Sequence, residues 1–286
     1  MIALLVGTCA PPTPTVSDAS GYVLLWQVDK LLGVRPGASD VKPVDMQMVL
    51  TNIIDVNGDG NGLVVISSGG PVPSLAVHVI GLRDGGLVRR IASNAARADV
   101  DASRQRVAFT TYSSANNGSY DVVTSDLATG TLYPVARGVA GPSSCVSWNR
   151  LTGTLTFDAG EKIFEWTAEG SPIHRFRGSC PAWSLDGRRL AFRRRSKAVS
   201  VYDANTGETT EVYRGGVTEA EFAGPMFWSP DHRYIAATVH SGADGSGKKC
   251  LAIDTLTTRV ALIHDGFAFC GPWLSDAPRT RGARAD

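Results

Sequence analysis

The chain carries almost no net charge: 28 Lys and Arg stand against 27 Asp and Glu, or +1 over 286 residues with His neutral. So even a balance gathers no polyanion, and no nucleic-acid partner is expected. No stretch approaches the roughly 18 consecutive apolar residues that a membrane helix needs. Few windows place apolar residues at helical spacing, which argues against a helical fold. The five cysteines, Cys9, Cys145, Cys180, Cys250 and Cys270, are too few for a disulfide scaffold at this length. None of them forms Cys-x-x-Cys, and none of the five histidines sits in H-E-x-x-H. A nucleophile elbow of the G-x-S-x-G type is missing as well. These absences weigh against catalysis: only a fold that gathered distant residues could assemble an active site.

What the chain does have is core-forming material and turns. Apolar residues make up 43%, charged residues 19%, and there are 31 glycines. Runs of four to seven residues rich in Val, Ile, Leu, Phe and Tyr alternate with clusters of Gly, Asn, Asp, Ser and Thr, the mark of an all-β chain. The runs repeat. "SSCVSWNRLTGTLTFDA", "CPAWSLDGRRLAFRRR" and "GPMFWSPDHRYIAATV" each read as a strand ending near Trp, a turn, and a second strand. "ARADVDASRQRVAFTTY" fits with Val100 in the Trp position, and "FAFCGPWLSD" supplies a first strand alone. A second hairpin follows each first one, as in "VSVYDANTGETTEVY" and "VVTSDLATGTLYPVA". Four strands over about 40–45 residues are the unit of a β-propeller blade, which buries its faces only by stacking on its neighbours.

"WSPDHRYIAA", "WSLDGRRLAF" and "YDANTGETTEV" resemble the WD-like repeats of TolB-type β-propellers. Trp228, Ser229, Pro230 and Asp231 match that family's W-S-P-D-G turn, with His232 in the place of Gly; Trp183, Ser184, Asp186 and Gly187 match with Leu185 for Pro. Asp203, Thr206 and Gly207, and likewise Asp126, Thr129 and Gly130, match its D-x-x-T-G turn. The resemblance is good from Ala96 to Leu274 and weak before that. It implies an all-β, six-bladed β-propeller of four-stranded antiparallel blades. Fold alone does not name a ligand.

Several motifs could carry chemistry. In "IIDVNGDGNGLVVISSGG", Asp55, Asn57 and Asp59 occupy positions one, three and five of a calcium loop, with Gly60 at six. Position twelve, where such a loop needs Glu, is Ile66, and position nine is Leu63. Two carboxylates make a weak site, so a bound Ca²⁺ is the secondary reading and a blade turn, with Gly and Asn supplying positive φ, is the primary one. No other cofactor is expected. Cys145, Cys180 and Cys270 each lie three residues before a Trp and are read as small buried hydrophobes, with a Cys145–Cys180 disulfide as the alternative. "SGADGSGKK" has a G-x-x-x-x-G-K core, but Lys249 stands where Ser or Thr should be and no helix follows, so it is a loop. "RRLAFRRRSK", from Arg188 to Lys197, reads as a solvated strand edge, or else as a surface for an anionic partner.

The N-terminal "MIALLVGTCAPPTPTVSDASG" has two readings. It resembles a lipoprotein signal with Cys9 as the lipidated residue, though no Lys or Arg precedes the apolar run and Thr8 departs from the usual small residue. Alternatively "IALLVG" is a strand. On the strand reading, "IALLVG", "YVLLWQVD" and "LGVRPG" are second, third and fourth strands of the last blade, completed by "FAFCGPW" from the C-terminus. The expectation is one propeller domain over residues 1–276 with a disordered tail at 277–286. It would be monomeric and non-catalytic, binding a protein or a small-molecule or saccharide ligand at the channel mouth or on blade loops. A propeller lyase or hydrolase is the competing class. The compartment follows the N-terminus: cytoplasmic if residues 1–7 are a strand, cell envelope if they are a signal.

Overall fold

A computed structural model describes the chain between residues 22 and 274, apart from 28–29, 37–40, 45–54, 59–62, 70–74, 82–86, 94, 102, 104, 113–118, 142–143, 169, 196, 216–220, 242–246 and 267. The described residues are all-β. In chain order the strands are β1 (Tyr22–Trp26), β2 (Leu31–Val34), β3 (Val41–Pro43), β4 (Asp55–Gly58), β5 (Leu63–Gly69), β6 (Leu75–Gly81), β7 (Leu87–Ser93) and β8 (Ala95–Val100). Then come β9 (Arg106–Tyr112), β10 (Tyr120–Asp126), β11 (Leu132–Ala140), β12 (Val146–Trp148), β13 (Leu155–Ala159), β14 (Lys162–Trp166), β15 (Ile173–Arg177) and β16 (Ser179–Trp183). The last are β17 (Arg189–Arg194), β18 (Ala198–Asp203), β19 (Thr209–Arg214), β20 (Phe222–Trp228), β21 (Tyr234–Ser241), β22 (Gly247–Asp254), β23 (Val260–Gly266) and β24 (Phe269–Leu274).

These strands form four-stranded antiparallel sheets, the blades of a propeller: β4–β7, β8–β11, β12–β15, β16–β19, β20–β23, and one of order β24-β1-β2-β3. The first strand of each sheet touches the first strand of the next, from β4 through β8, β12, β16 and β20 to β24, and β24 touches β4 again. No helix of the structure is long and apolar enough to cross a membrane.

Burial explains why the strands read as they do. A middle strand is covered on both faces by the neighbouring blades, so it does not alternate: Leu190, Ala191 and Phe192 of β17 are all buried, as are Ile235, Ala236 and Ala237 of β21. The outermost strands are wet, and β15 keeps no fully buried residue. The repeat frame holds in detail. Val100, Trp148, Trp183 and Trp228 each pair with the residue seven positions on. Local hydrogen bonds close these turns. Ser184 Oγ donates to Asp186 Oδ1 at 2.6 Å and accepts the Arg189 amide at 2.9 Å; Ser229 and Asp231 repeat the pair. His232 takes the positive φ that Gly187 supplies elsewhere.

Three expectations are corrected here. The first concerns the opening hairpin: Asn57, expected in the turn, lies with Asp55 in the ladder of β4, where Asp55 pairs with Ser67 and Asn57 with Val65. Asp59 lies outside the described residues. The second concerns closure. The C-terminal strand does complete the N-terminal sheet, but β1 is the second strand, not the third: Trp273 pairs with Val23 and Phe269 with Trp26. Among the described residues that sheet holds β24, β1, β2 and β3; residues 1–7 lie outside the described residues. The aromatic fit explains the shift, because this register stacks Trp26 on Phe269 with ring centroids 4.3 Å apart. The expected tail at 277–286 also lies outside the described residues.

The third correction concerns the four described cysteines, which are not free thiols. Cys145 bonds Cys180 and Cys250 bonds Cys270, each bond joining adjacent blades. The first of these bonds is the disulfide weighed above as the alternative to buried thiols, with the Cα atoms of Cys145 and Cys180 4.8 Å apart. A bulge in β16 brings them together: Cys180 has φ +47°, and the register slips between Ser179 and Ala182. Cys270 pairs with Leu25 beside a register shift of its own and bonds Cys250 on β22, not another cysteine of the Trp frame.

Candidate functional site

The inner strands converge on a channel. Asn57 of β4, Asp99 of β8, Trp148 of β12, Trp183 of β16, Trp228 of β20 and Trp273 of β24 line one cavity, so each blade contributes. Pro181, Pro225 and Pro272 add rigid apolar wall, and Leu185, from the turn after Trp183, reaches the mouth. The cavity is narrow, about 40 Å³.

The inner strands need acceptors as well as neighbours. On its channel side such a strand has no ladder partner for its amides, and an unpaired buried N–H is costly. Side-chain oxygens of the preceding blade meet the need. Asp99 Oδ2 accepts the Trp148 amide at 2.7 Å, Ser147 Oγ accepts that of Trp183 at 3.0 Å, and Thr238 Oγ1 accepts that of Cys270 at 2.8 Å. Indoles do the same in reverse: Trp183 Nε1 donates to Thr156 Oγ1 at 2.7 Å and Trp228 Nε1 to the Ala182 carbonyl at 2.9 Å.

Asp99 is the carboxylate of the channel wall. Its other oxygen accepts the Val100 amide at 2.8 Å, and Arg150 Nη2 approaches to 4.0 Å. Burial raises its pKa to about 6, against the pull of Arg150 and the two amides. Asp158 is its counterpart at the other end of the inner strands. It accepts the amides of Cys145 at 2.7 Å and Cys180 at 3.2 Å, and burial raises its pKa to about 6 too. Cys145, Asp158 and Cys180 have donor atoms within 4.8 Å of one another, a set able to hold a metal only with both sulfurs reduced.

The sequence-derived candidates fare unevenly. Asn57 reaches the channel wall, Asp55 sits two residues back on the same strand, and Asp59 is outside the described residues. The loop of "SGADGSGKK" lies largely outside them too, its flanks being paired strands. Asp99 and Asp158 were missed. Their signal was position: Asp99 and Ser147 both directly precede the residue in the Trp frame.

No protein-family model and no curated protein matches the chain. Its fold is similar to that in the crystal structure of TolB from Acinetobacter baumannii, with a TM-score of 0.67 at 15% identity, covering 91% of this chain and 68% of that one. The TolB-type resemblance read from the turns is therefore matched in three dimensions.

Proposed function

We propose that this protein is a non-catalytic binding module: a closed six-bladed propeller, monomeric, whose channel mouth receives a side chain or short segment of a protein partner. The observation that carries this reading is the wall of the channel. Four tryptophans and three prolines stand in it, and its carboxylate, Asp99, is already committed to two backbone amides. An enzyme needs titratable groups free to converge on a reacting atom. Here Asp99 faces an arginine, which does not exchange protons near neutral pH. Size favours a protein partner over a free saccharide, since sites for whole small molecules run to roughly 300–1,000 Å³. A cavity of about 40 Å³ takes the tip of a side chain.

The two inter-blade disulfides support an oxidising compartment, because such bonds are rare where thiols are kept reduced. Because β1 already fills the second-strand position of the terminal sheet, we favour the lipoprotein-signal reading of the N-terminus, with Cys9 lipidated, over the strand reading.

A photo-crosslinking residue placed at Leu185 tests the binding reading in the source cell. One protein should be captured from this position and not from an exposed turn position such as Leu256, between β22 and β23. Capture should fall at least about tenfold in a variant that also carries Asp186→Lys beside the probe, a perturbation of about 1.4 kcal/mol or more. Equal capture from both positions would refute it.

A further inference from the structure

A second cleft, unrelated to the channel mouth, opens at the other end of the inner strands. It begins at Ser179, while Trp183 at the far end of the same strand lines the channel. Four residues of strand set the two sites about 13 Å apart. The cleft measures about 520 Å³ and is walled by three successive blades. Glu161 and Arg177 come from the first, Arg193, Arg194 and Arg195 from the second, and Glu221 from the third.

Its charges are not matched. Four guanidinium groups face two carboxylates, so the lining carries +2. Arg177, Arg194 and Arg195 form no ion pair among the described residues. Arg193 is the fixed element. Its Nη1 donates to the Phe222 carbonyl at 2.8 Å and its Nη2 contacts Cys180 Sγ at 2.7 Å. Its Nε is buried with no hydrogen-bond partner. Asp158 lies near enough to offset part of the Arg193 charge, but Asp158 is itself spent on two amides. A buried donor left without an acceptor is costly, and in native structures such a group usually marks a missing ligand or water.

We propose that this cleft is a binding site for a phosphomonoester of a small polyhydroxylated molecule. Its volume lies within the range of small-ligand sites. Arginine forks bind planar or tetrahedral oxyanions two donors at a time. A carboxylate satisfies one fork, whereas a phosphate monoester offers three terminal oxygens to forks arriving from β15, β17 and the turn that follows β17. Glu161 and Glu221 accept hydrogen bonds from hydroxyls on the rest of the ligand, which a bare phosphate lacks. The disulfide at Cys180 holds the strand against which Arg193 is set.

Isothermal titration of the full chain with glucose 6-phosphate, inorganic phosphate and glucuronate tests this, alongside flotation with phosphatidylglycerol vesicles. Glucose 6-phosphate should bind with a dissociation constant of about 1 mM or tighter, at least about tenfold better than inorganic phosphate or glucuronate. The double variant Arg177→Ala/Arg194→Ala changes only exposed side chains and should keep the wild-type melting temperature while losing at least about tenfold in affinity. Arg193→Met should abolish binding. Binding of vesicles without the soluble ester would move the site to a lipid headgroup and overturn the proposal. So would the absence of any binding at about 10 mM ester, or an affinity unchanged in the double variant.

Discussion

Trp273 is where closure of the ring can be measured. It belongs to the last strand of the chain, pairs with Val23 of the first, and is 1% exposed. It packs in one cluster with Leu25, Phe227 and Cys270, its ring stacked on Tyr234 at 6.1 Å, so it joins the closing sheet to the blade before it. A buried tryptophan removes roughly 150–250 Å² from water, about 4–6 kcal/mol at about 25 cal/mol per Å². Alanine keeps part of that, and the walls relax into part of the hole, so Trp273→Ala should cost about 3–5 kcal/mol. At about 2–4 °C per kcal/mol for a chain of this order, the melting temperature should fall by about 6–20 °C. Urea denaturation followed by tryptophan fluorescence and by far-ultraviolet circular dichroism gives the free energy. Leu256→Ala is the control: Leu256 is 72% exposed, and its loss should stay within about 0.5 kcal/mol. A Trp273→Ala loss below about 1 kcal/mol would show that the terminal sheet does not hold the ring, and the argument for closure would fail.

Truncation should agree: removing residues 277–286 should leave the melting temperature unchanged, while removing 267–286 takes away β24 and one half of a disulfide and should cause aggregation, unless the strand is dispensable. Thiol titration of the unfolded, unreduced protein should find none of Cys145, Cys180, Cys250 and Cys270 reactive, and four further thiols should appear after reduction; four reactive thiols before reduction would refute both bonds. Asp99 and Asp158 have folded pKa values near 6, above the ordinary 3.8, so the folded state holds more protons than the unfolded between them. Their contribution to stability is therefore full below pH 3.8 and is lost as pH rises to about 6. Asp99→Asn should flatten that fall in urea titrations at pH 4 and pH 6, and an unchanged slope would place its pKa elsewhere. Millimolar Ca²⁺ should leave the melting temperature unmoved if residues 59–62 only turn the chain; a rise abolished by Asp59→Ala would instead establish the Asp55, Asn57, Asp59 cation site.

The blade pattern was legible because its signals are local. Ser184, Asp186 and Gly187 specify their turn through bonds spanning five residues, and the same letters recur around Ser229. Closure was legible only in part. That the chain ends share a sheet follows from counting strands, but which N-terminal run lies beside β24 depends on the fit of Trp26 to Phe269, and no pattern of alternation encodes that. The Cys145–Cys180 disulfide was legible as an alternative, but the Cys250–Cys270 bond was hidden. Cys145, Cys180 and Cys270 share a spacing to Trp, which drew attention away from Cys250. That residue stands on the third strand of its blade, outside the Trp frame. The arginine cleft was half visible: "RRLAFRRRSK" named three of its cations as an edge or an anion surface, while Arg177 and the two glutamates arrive from other blades.

Asp99 and Asp158 show how one device can serve two ends of a ring. Both accept an amide from the next blade, and both lie buried beside an arginine. Their surroundings differ. At Asp99 the arginine is Arg150, which lines the channel cavity with the tryptophans, and the carboxylate keeps little unsettled charge for a partner to read. At Asp158 the arginine is Arg193, which opens onto a wide cleft beside three further guanidinium groups. The same inter-blade bond therefore leaves a narrow, shape-selective mouth at one end and an electropositive cleft at the other. A ligand choosing by shape goes to the first, and one choosing by charge goes to the second. Asp99→Asn should consequently disturb stability against pH without changing phosphate-ester affinity. Asp158→Asn removes the carboxylate charge offsetting Arg193 and should strengthen that affinity, provided Arg193 stays charged. Equal effects of the two substitutions on ester binding would contradict the separation of the two ends.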